Sequence, residues 1–143
     1  MTQSVFYMKK IEHLGIAVRD LESASLLYSK LLNTLPYKEE IVDSEKVITL
    51  FYQTGDAKIE LLQGISPESP ISRFIEKKGE GIHHIAFEVD DIHEEMERLK
   101  MEGFTFLNDT PKKGADNKLI AFLHPKSAGG VLIEICQEIR THV

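Results

Sequence analysis

The sequence predicts an α+β fold built from two tandem β-α-β-β-β modules, and two internal echoes predict it. Ile11, His13, Val18, Asp20 and Leu21 stand where, 71 positions later, Ile82, His84, Val89, Asp91 and Ile92 stand. Further on, Lys58-Ile59-Glu60-Leu61-Leu62-Gln63 is answered by Leu132-Ile133-Glu134-Ile135-Cys136-Gln137. Each copy thus carries one His and one Glu, 47 positions apart in the first and 50 in the second. A unit written twice in one chain predicts one domain made of two like halves. The domain is expected over 1–143, with a first module at about 9–64, a linker helix at about 66–79 and a second module at about 81–138.

The elements follow from local pattern. Residues 1–9 read as a short extension. Ile11 to Val18 alternates, with Leu14, Ile16 and Val18 on one face and His13, Gly15 and Ala17 on the other. Asp20 caps a helix whose apolar positions Leu21, Ala24, Tyr28, Leu31 and Leu32 recur at helical spacing, and Leu35-Pro36 stops it. Strands are expected at Tyr37–Val42, Val47–Tyr52 and Lys58–Gln63, with Thr54-Gly55-Asp56 turning between the last two. Ser69-Pro70 is an N-cap followed by a first-turn proline, so Ile71 to Lys78 should be helical up to Gly79. The second half repeats the order. His84, Ala86 and Glu88 face one way on a strand; Asp91 and Glu94 open a helix with Ile92, Met96 and Leu99 inward, and Gly103 ends it. Phe104–Leu107, Lys118–Leu123 and Gly130–Gln137 are the expected remaining strands, separated by loops at Asn108–Asn117 and His124–Gly129.

Composition narrows the function classes. A net charge of −6 offers no dominant basic face for nucleic acid, while pairs such as Lys77-Lys78 and Lys112-Lys113 read as solvated surface. The single Cys136 excludes an internal disulfide and reads as a small buried apolar residue. No apolar run approaches a membrane span, and Met1 to Met8 lacks the charged start and apolar core of a signal peptide. The expectation is a cytoplasmic enzyme with no membrane or nucleic-acid partner.

His13 and His84 each sit on the strand face whose neighbours are small, as a cavity wall requires, while the opposite face is aliphatic. Glu60 and Glu134 likewise lie off the aliphatic face, where a carboxylate is costly unless paired, protonated or bound to a metal. Two repeats related by a pseudo-twofold axis would bring the four together as two imidazoles and two carboxylates. That donor set suits a divalent ion such as Zn, Co, Ni, Mn or Fe, and on an octahedral ion it leaves two positions for water or substrate. The other histidines are weaker candidates. His83 is expected to point away from His84, His93 to face solvent in the first turn of a helix, and His142 to lie in the tail.

These residues resemble the vicinal oxygen chelate superfamily (glyoxalase, bleomycin resistance protein, dioxygenase), and within it the methylmalonyl-CoA epimerases. The resemblance covers about residues 9–138. Two long stretches carry it furthest: Gly79-Glu80-Gly81-Ile82-His83-His84-Ile85-Ala86-Phe87, and Ala121-Phe122-Leu123-His124-Pro125-Lys126-Ser127 running on through Gly129-Gly130 to Glu134. Ile11 to Val18, Lys58 to Leu62 and Ser69-Pro70-Ile71 add to it. It implies a cupped mixed sheet around one divalent ion (Co, Ni, Mn or Zn) held by His13, Glu60, His84 and Glu134. It further implies an acyl-CoA substrate epimerised at C2 through a metal-stabilised enolate, with Glu134 as one proton carrier. His124, Lys126, Ser127 and Gly130 would be substrate contacts, and the assembly a homodimer. Two departures stand out. Thr49 occupies the place where part of the family carries a second carboxylate, and Asp116-Asn117 stand where the family tends to have glycines.

Two other functions share the pattern. A glyoxalase I-like lyase would use the same metal site on a glutathione hemithioacetal. A drug-binding protein of the bleomycin-resistance kind would bind its ligand without metal, which four intact ligands argue against.

Overall fold

The computed structural model describes residues 8–139, which fall into two compact units: His13–His84, and the described residues of Met1–Glu12 with Ile85–Val143. His142 lies outside the described residues. The boundary cuts through two strands, so His13 and His84 both belong to the first-named unit, together with Glu60.

In the first module, β1 (Lys10–Ala17) leads into α1 (Leu21–Leu32), then β2 (Lys38–Val42), β3 (Val47–Thr54) and β4 (Ala57–Gly64). The strand order is β2-β3-β4-β1, antiparallel except for β4 against β1, which is parallel. A parallel neighbour needs a crossover, and α1 begins that return. Asp20 caps α1 by accepting from Ser23 N at 3.0 Å, and Asn33 closes it with a left-handed φ of 53°. The helix turns Leu21, Ala24, Tyr28 and Leu32 onto Val18, Leu50, Tyr52 and Leu61. Leu31 does not join them; it is 69% exposed, because one α-helical turn of 3.6 residues carries it past the buried stripe.

The linker helix α2 (Pro70–Lys78) starts as expected, with the Ser69 hydroxyl accepting from Ile71 N at 3.2 Å. Its Ile71, Phe74 and Ile75 pack on Ala17, Val47 and Leu62, on the sheet face opposite α1.

The second module runs β5 (Gly81–Glu88), α3 (Ile92–Met101), β6 (Lys112–Lys113), β7 (Lys118–Phe122) and β8 (Ile133–Glu138). The order β5-β8-β7-β6 reproduces the first module's, again with its first and last strands parallel. Ile92, Met96 and Leu99 of α3 pack on Val89, Ala121, Leu123 and Ile135. Each such side chain contributes about 1.5–3 kcal/mol by leaving water, so Ile135→Ala should cost about 2–5 kcal/mol. Two expectations need correction here. Phe104–Leu107 is not a strand: only Phe106 makes an isolated bridge, to Leu123, and the short β6 falls inside the expected loop. The apolar run is used instead as a cover, with Phe104 and Phe106 packed on the α3 core. At the Asp116-Asn117 turn both residues take φ of 56°, the left-handed region that Asn and Asp tolerate best after glycine. The side-chain amide of Asn117 donates to Ile139 O, and Ile139 N donates to Asn117 O.

No helix among the described residues is long and apolar enough to cross a membrane.

Candidate metal centre and its surroundings

Alternation along β1 places His13, Gly15 and Ala17 on one face, and the parallel register sets Gly15 beside Glu60 of β4. His13 and Glu60 are each 5% exposed. The Glu60 carboxylate accepts from His13: Oε2 lies 3.0 Å from Nδ1. That contact fixes the imidazole, in the manner of the carboxylate–histidine pairs that orient metal ligands. The hollow beside Gly15 is filled by the ring of His84. A Cβ built on Gly15 would stand only 2.3 Å from His84 Cε1 and 2.6 Å from Nδ1. Glycine is thus required here for space alone.

His84, 6% exposed, meets His13 edge to face, with Nε2 to Nε2 at 3.0 Å. Two donors about 2.1 Å from one ion and at right angles around it stand about 3.0 Å apart. The pair therefore fits adjacent positions on a divalent ion, and two imidazoles with a carboxylate are the right donors for one. Without an ion, one of these nitrogens must carry a proton for the contact to be a hydrogen bond. Burial, with the neighbouring His13 and His83 adding to it, holds His84 well below the ordinary histidine range, so it is a neutral donor near pH 7.

His83 does not point away as alternation suggests. Its Nδ1 lies 2.9 Å from His84 Nδ1, and its ring meets Phe74 of α2 edge on at 5.0 Å. Alternation sets where a Cβ points, but an imidazole reaches far enough along the strand for neighbouring rings to meet. A run of two histidines was the only signal of this in the sequence.

Glu134 is buried at 4% exposure on β8, flanked by Ala86 of β5 and Phe122 of β7. Its charge helps push the thiol of Cys136 upward, after burial itself, so that Cys136 is an inert core residue in the cluster with Ala86 and Ile120. Thr49 is buried at 2% exposure, opposite Leu62 and on the Glu60 face of β4. No carboxylate occupies that place; Glu40 stands across from it on β2, paired with Lys38 at 3.1 Å.

The expected substrate contacts lie together in one turn. His124 Nδ1 accepts from Lys126 N, and Ser127 N donates to His124 O. Gly130 N donates to Pro125 O, with a left-handed φ of 91° at Gly130. The Ser127 hydroxyl is engaged by Thr105 N and its hydroxyl, at 3.0 and 2.7 Å, while Lys126 is exposed. The turn is internally braced and presents one cation to solvent.

Known proteins share this whole plan. The Glyoxalase/Bleomycin resistance protein/Dioxygenase superfamily matches residues 12–122. Human mitochondrial methylmalonyl-CoA epimerase is 38% identical over 138 residues, 96% of this chain and 78% of that protein. The ethylmalonyl-CoA/methylmalonyl-CoA epimerase of Cereibacter sphaeroides is 39% identical over 90% of this chain and 97% of its own. The crystal structure of methylmalonyl-CoA epimerase from Mycobacterium tuberculosis superposes with a TM-score of 0.90 at 32% identity, covering 98% of this chain and 94% of that one. On these matches and on the buried His/Glu group, the chain belongs to the Glyoxalase/Bleomycin resistance protein/Dioxygenase superfamily and, within it, to the methylmalonyl-CoA epimerase family.

Proposed function

We propose that this chain interconverts the (R) and (S) forms of methylmalonyl-CoA by removing and returning the proton at C2. The observation that carries this reading is the convergence of buried His13, Glu60 and His84 in a member of the epimerase family. His13 and His84 would hold a divalent ion through their facing Nε2 atoms, with Glu134 completing the set and Glu60, expected as a ligand, instead orienting His13 from Nδ1. Support for Glu134 comes from its place in the repeat, which matches that of Glu60, and from its burial.

A divalent ion held there would supply Lewis-acid chemistry that lowers the barrier to losing the C2 proton. The protein's own contribution is to orient the donors and exclude water. His84, kept neutral by its burial, keeps a lone pair for the site instead of a competing proton. Glu134 is the carboxylate we assign to proton transfer on one face of C2. For the other face Thr49 is no base, so solvent or another side chain must serve. Exposed Lys126, at the braced turn after β7, suits the anionic end of an acyl-CoA.

The test is turnover. Purified protein loaded with cobalt(II) is offered methylmalonyl-CoA in heavy water, and in parallel the glutathione hemithioacetal. Epimerisation with deuterium appearing at C2 at a comparable rate is expected. Absence of epimerisation with brisk conversion of the hemithioacetal would overturn the assignment in favour of a glyoxalase I-like lyase.

A further inference from the structure

We propose that His83 is the positioning residue of the metal centre: its Nδ1 accepts the Nδ1 proton of His84 and so holds the His84 Nε2 lone pair toward the ion. The inference rests on the metal-centre reading above, and three observations carry it.

First, the two imidazoles that face each other through Nε2 are each gripped at the opposite nitrogen. Glu60 holds His13 at Nδ1, 3.0 Å away, and His83 holds His84 at Nδ1, 2.9 Å away. A neutral imidazole has one protonated and one bare nitrogen, so a partner at Nδ1 decides what Nε2 can do. Bound through Nε2, His84 must carry its proton on Nδ1, and His83 Nδ1 is then the acceptor.

Second, His83 is itself fixed. Its ring stands edge on to Phe74, at 5.0 Å and 83° between planes. Phe74 is carried by α2, whose first turn is tied down by the Ser69 cap and whose Ile71 is buried against the sheet. A positioning residue needs such backing, since a loosely held acceptor would not fix a ring.

Third, two other sides of the His84 ring are set by contacts of a different kind. The ring's Nε2 side is taken by His13, and its flank lies over the bare Cα of Gly15, which offers no side chain. The two halves of the chain therefore solve one problem with different residues. His13 is oriented by a carboxylate across a strand pair, His84 by its own chain neighbour.

The experiment compares wild type with His83→Phe, which keeps a ring against Phe74 but has no acceptor, and His83→Asn, whose side-chain oxygen can take the place of Nδ1. Cobalt(II) affinity of the metal-stripped proteins is measured by visible absorption titration, and folding by circular dichroism. Loss of an outer partner of a ligating histidine weakens metal binding about 10–100-fold, which is the loss expected for His83→Phe. His83→Asn should recover most of it. As a second readout, long-range proton–nitrogen NMR on the zinc-loaded proteins follows the Nδ1 proton of His84, expected to exchange slowly with water in wild type and faster in His83→Phe. Equal cobalt affinity in wild type and His83→Phe would overturn the proposal, as would equal losses in the Phe and Asn variants or a zinc-loaded wild-type His84 that carries its proton on Nε2. Wild type that binds no cobalt would instead remove the metal-centre reading, and this inference with it.

Discussion

Gly15→Ala is the sharpest single perturbation of this site, because it adds one methyl group beside His84. Gly15 lies in β1 with no left-handed φ, so alanine fits the backbone. It also restricts the unfolded chain, worth about 0.4–1 kcal/mol in favour of folding. Against that stands the overlap. The new Cβ would sit 2.3 Å from His84 Cε1, where ordinary carbon contact begins at about 3.5 Å, so the ring must retreat by about 1.2 Å. It cannot swing away cheaply, being held at both nitrogens by His83 and His13. Overpacking of this kind costs about 1–3 kcal/mol, which outweighs the entropic gain. The net cost is up to about 2.6 kcal/mol, so at about 4 °C per kcal/mol for a chain of this size a fall in Tm of up to about 10 °C is expected for the metal-free protein. The larger effect falls on function. A ligand atom must lie within about 0.2 Å of its place, so a ring moved by over 1 Å is lost as a donor. Misplacement on that scale costs about 10²-fold in rate. The assay pairs thermal melting of metal-free protein with metal content and epimerase rate. A variant with unchanged Tm and full metal content would refute the placement of His84 over Gly15.

Two further outcomes are expected. Glu134→Gln should depress both epimerisation and deuterium uptake at C2, since an amide is no base; elemental analysis of the same samples separates this from loss of metal, and full rates with full metal content would exclude Glu134 as a proton carrier. The metal-free protein should lose stability as pH falls from about 6.5 to about 4. Burial lowers His83 to about 4 and holds His84 well below the ordinary histidine range, so below the ordinary value the unfolded chain binds protons that the folded chain refuses. Urea melts between pH 7.5 and 4.5 check this, and stability that rises on acidification would contradict it.

Much of this was legible in the residues, for identifiable reasons. Asp20, Asp91 and Ser69 announce their helices because a cap is a local bond: each accepts a backbone N–H two or three residues on. The burial of His13, Glu60, His84 and Glu134 was legible from duplication, since no single copy demands a polar residue inside. What failed depended on contacts that no local pattern encodes. Phe104–Leu107 has strand-like composition but is used as a lid on α3. Leu31 has helical spacing but falls just outside the stripe. His83 needed the position of Phe74, on another element, before its ring could be placed.

The duplication also explains how each His keeps its distance from its Glu although the intervening lengths differ. In the first module the side-chain oxygen of Gln63 accepts from Leu21 N at 2.7 Å, and Val18 N donates to Leu62 O. In the second, Gln137 accepts from Ile92 N at 2.8 Å, and Val89 N donates to Cys136 O. Each glutamine thus latches the start of the helix to the end of the last strand, satisfying an N–H that the helix leaves without a partner. The His stands eight positions before the latched helix residue in both copies, and the Glu three before the glutamine in both. With the latch closed, the parallel strands can pair in only one register, because a slip of one residue would turn the Glu to the opposite face. The three extra residues between His84 and Glu134 therefore have to be absorbed elsewhere. They fall between α3 and β8, in the stretch where Phe104–Leu107 forms no strand and β6 is only two residues long. The spacing of the candidate ligands is set by the latch, and the loops are free to vary around it.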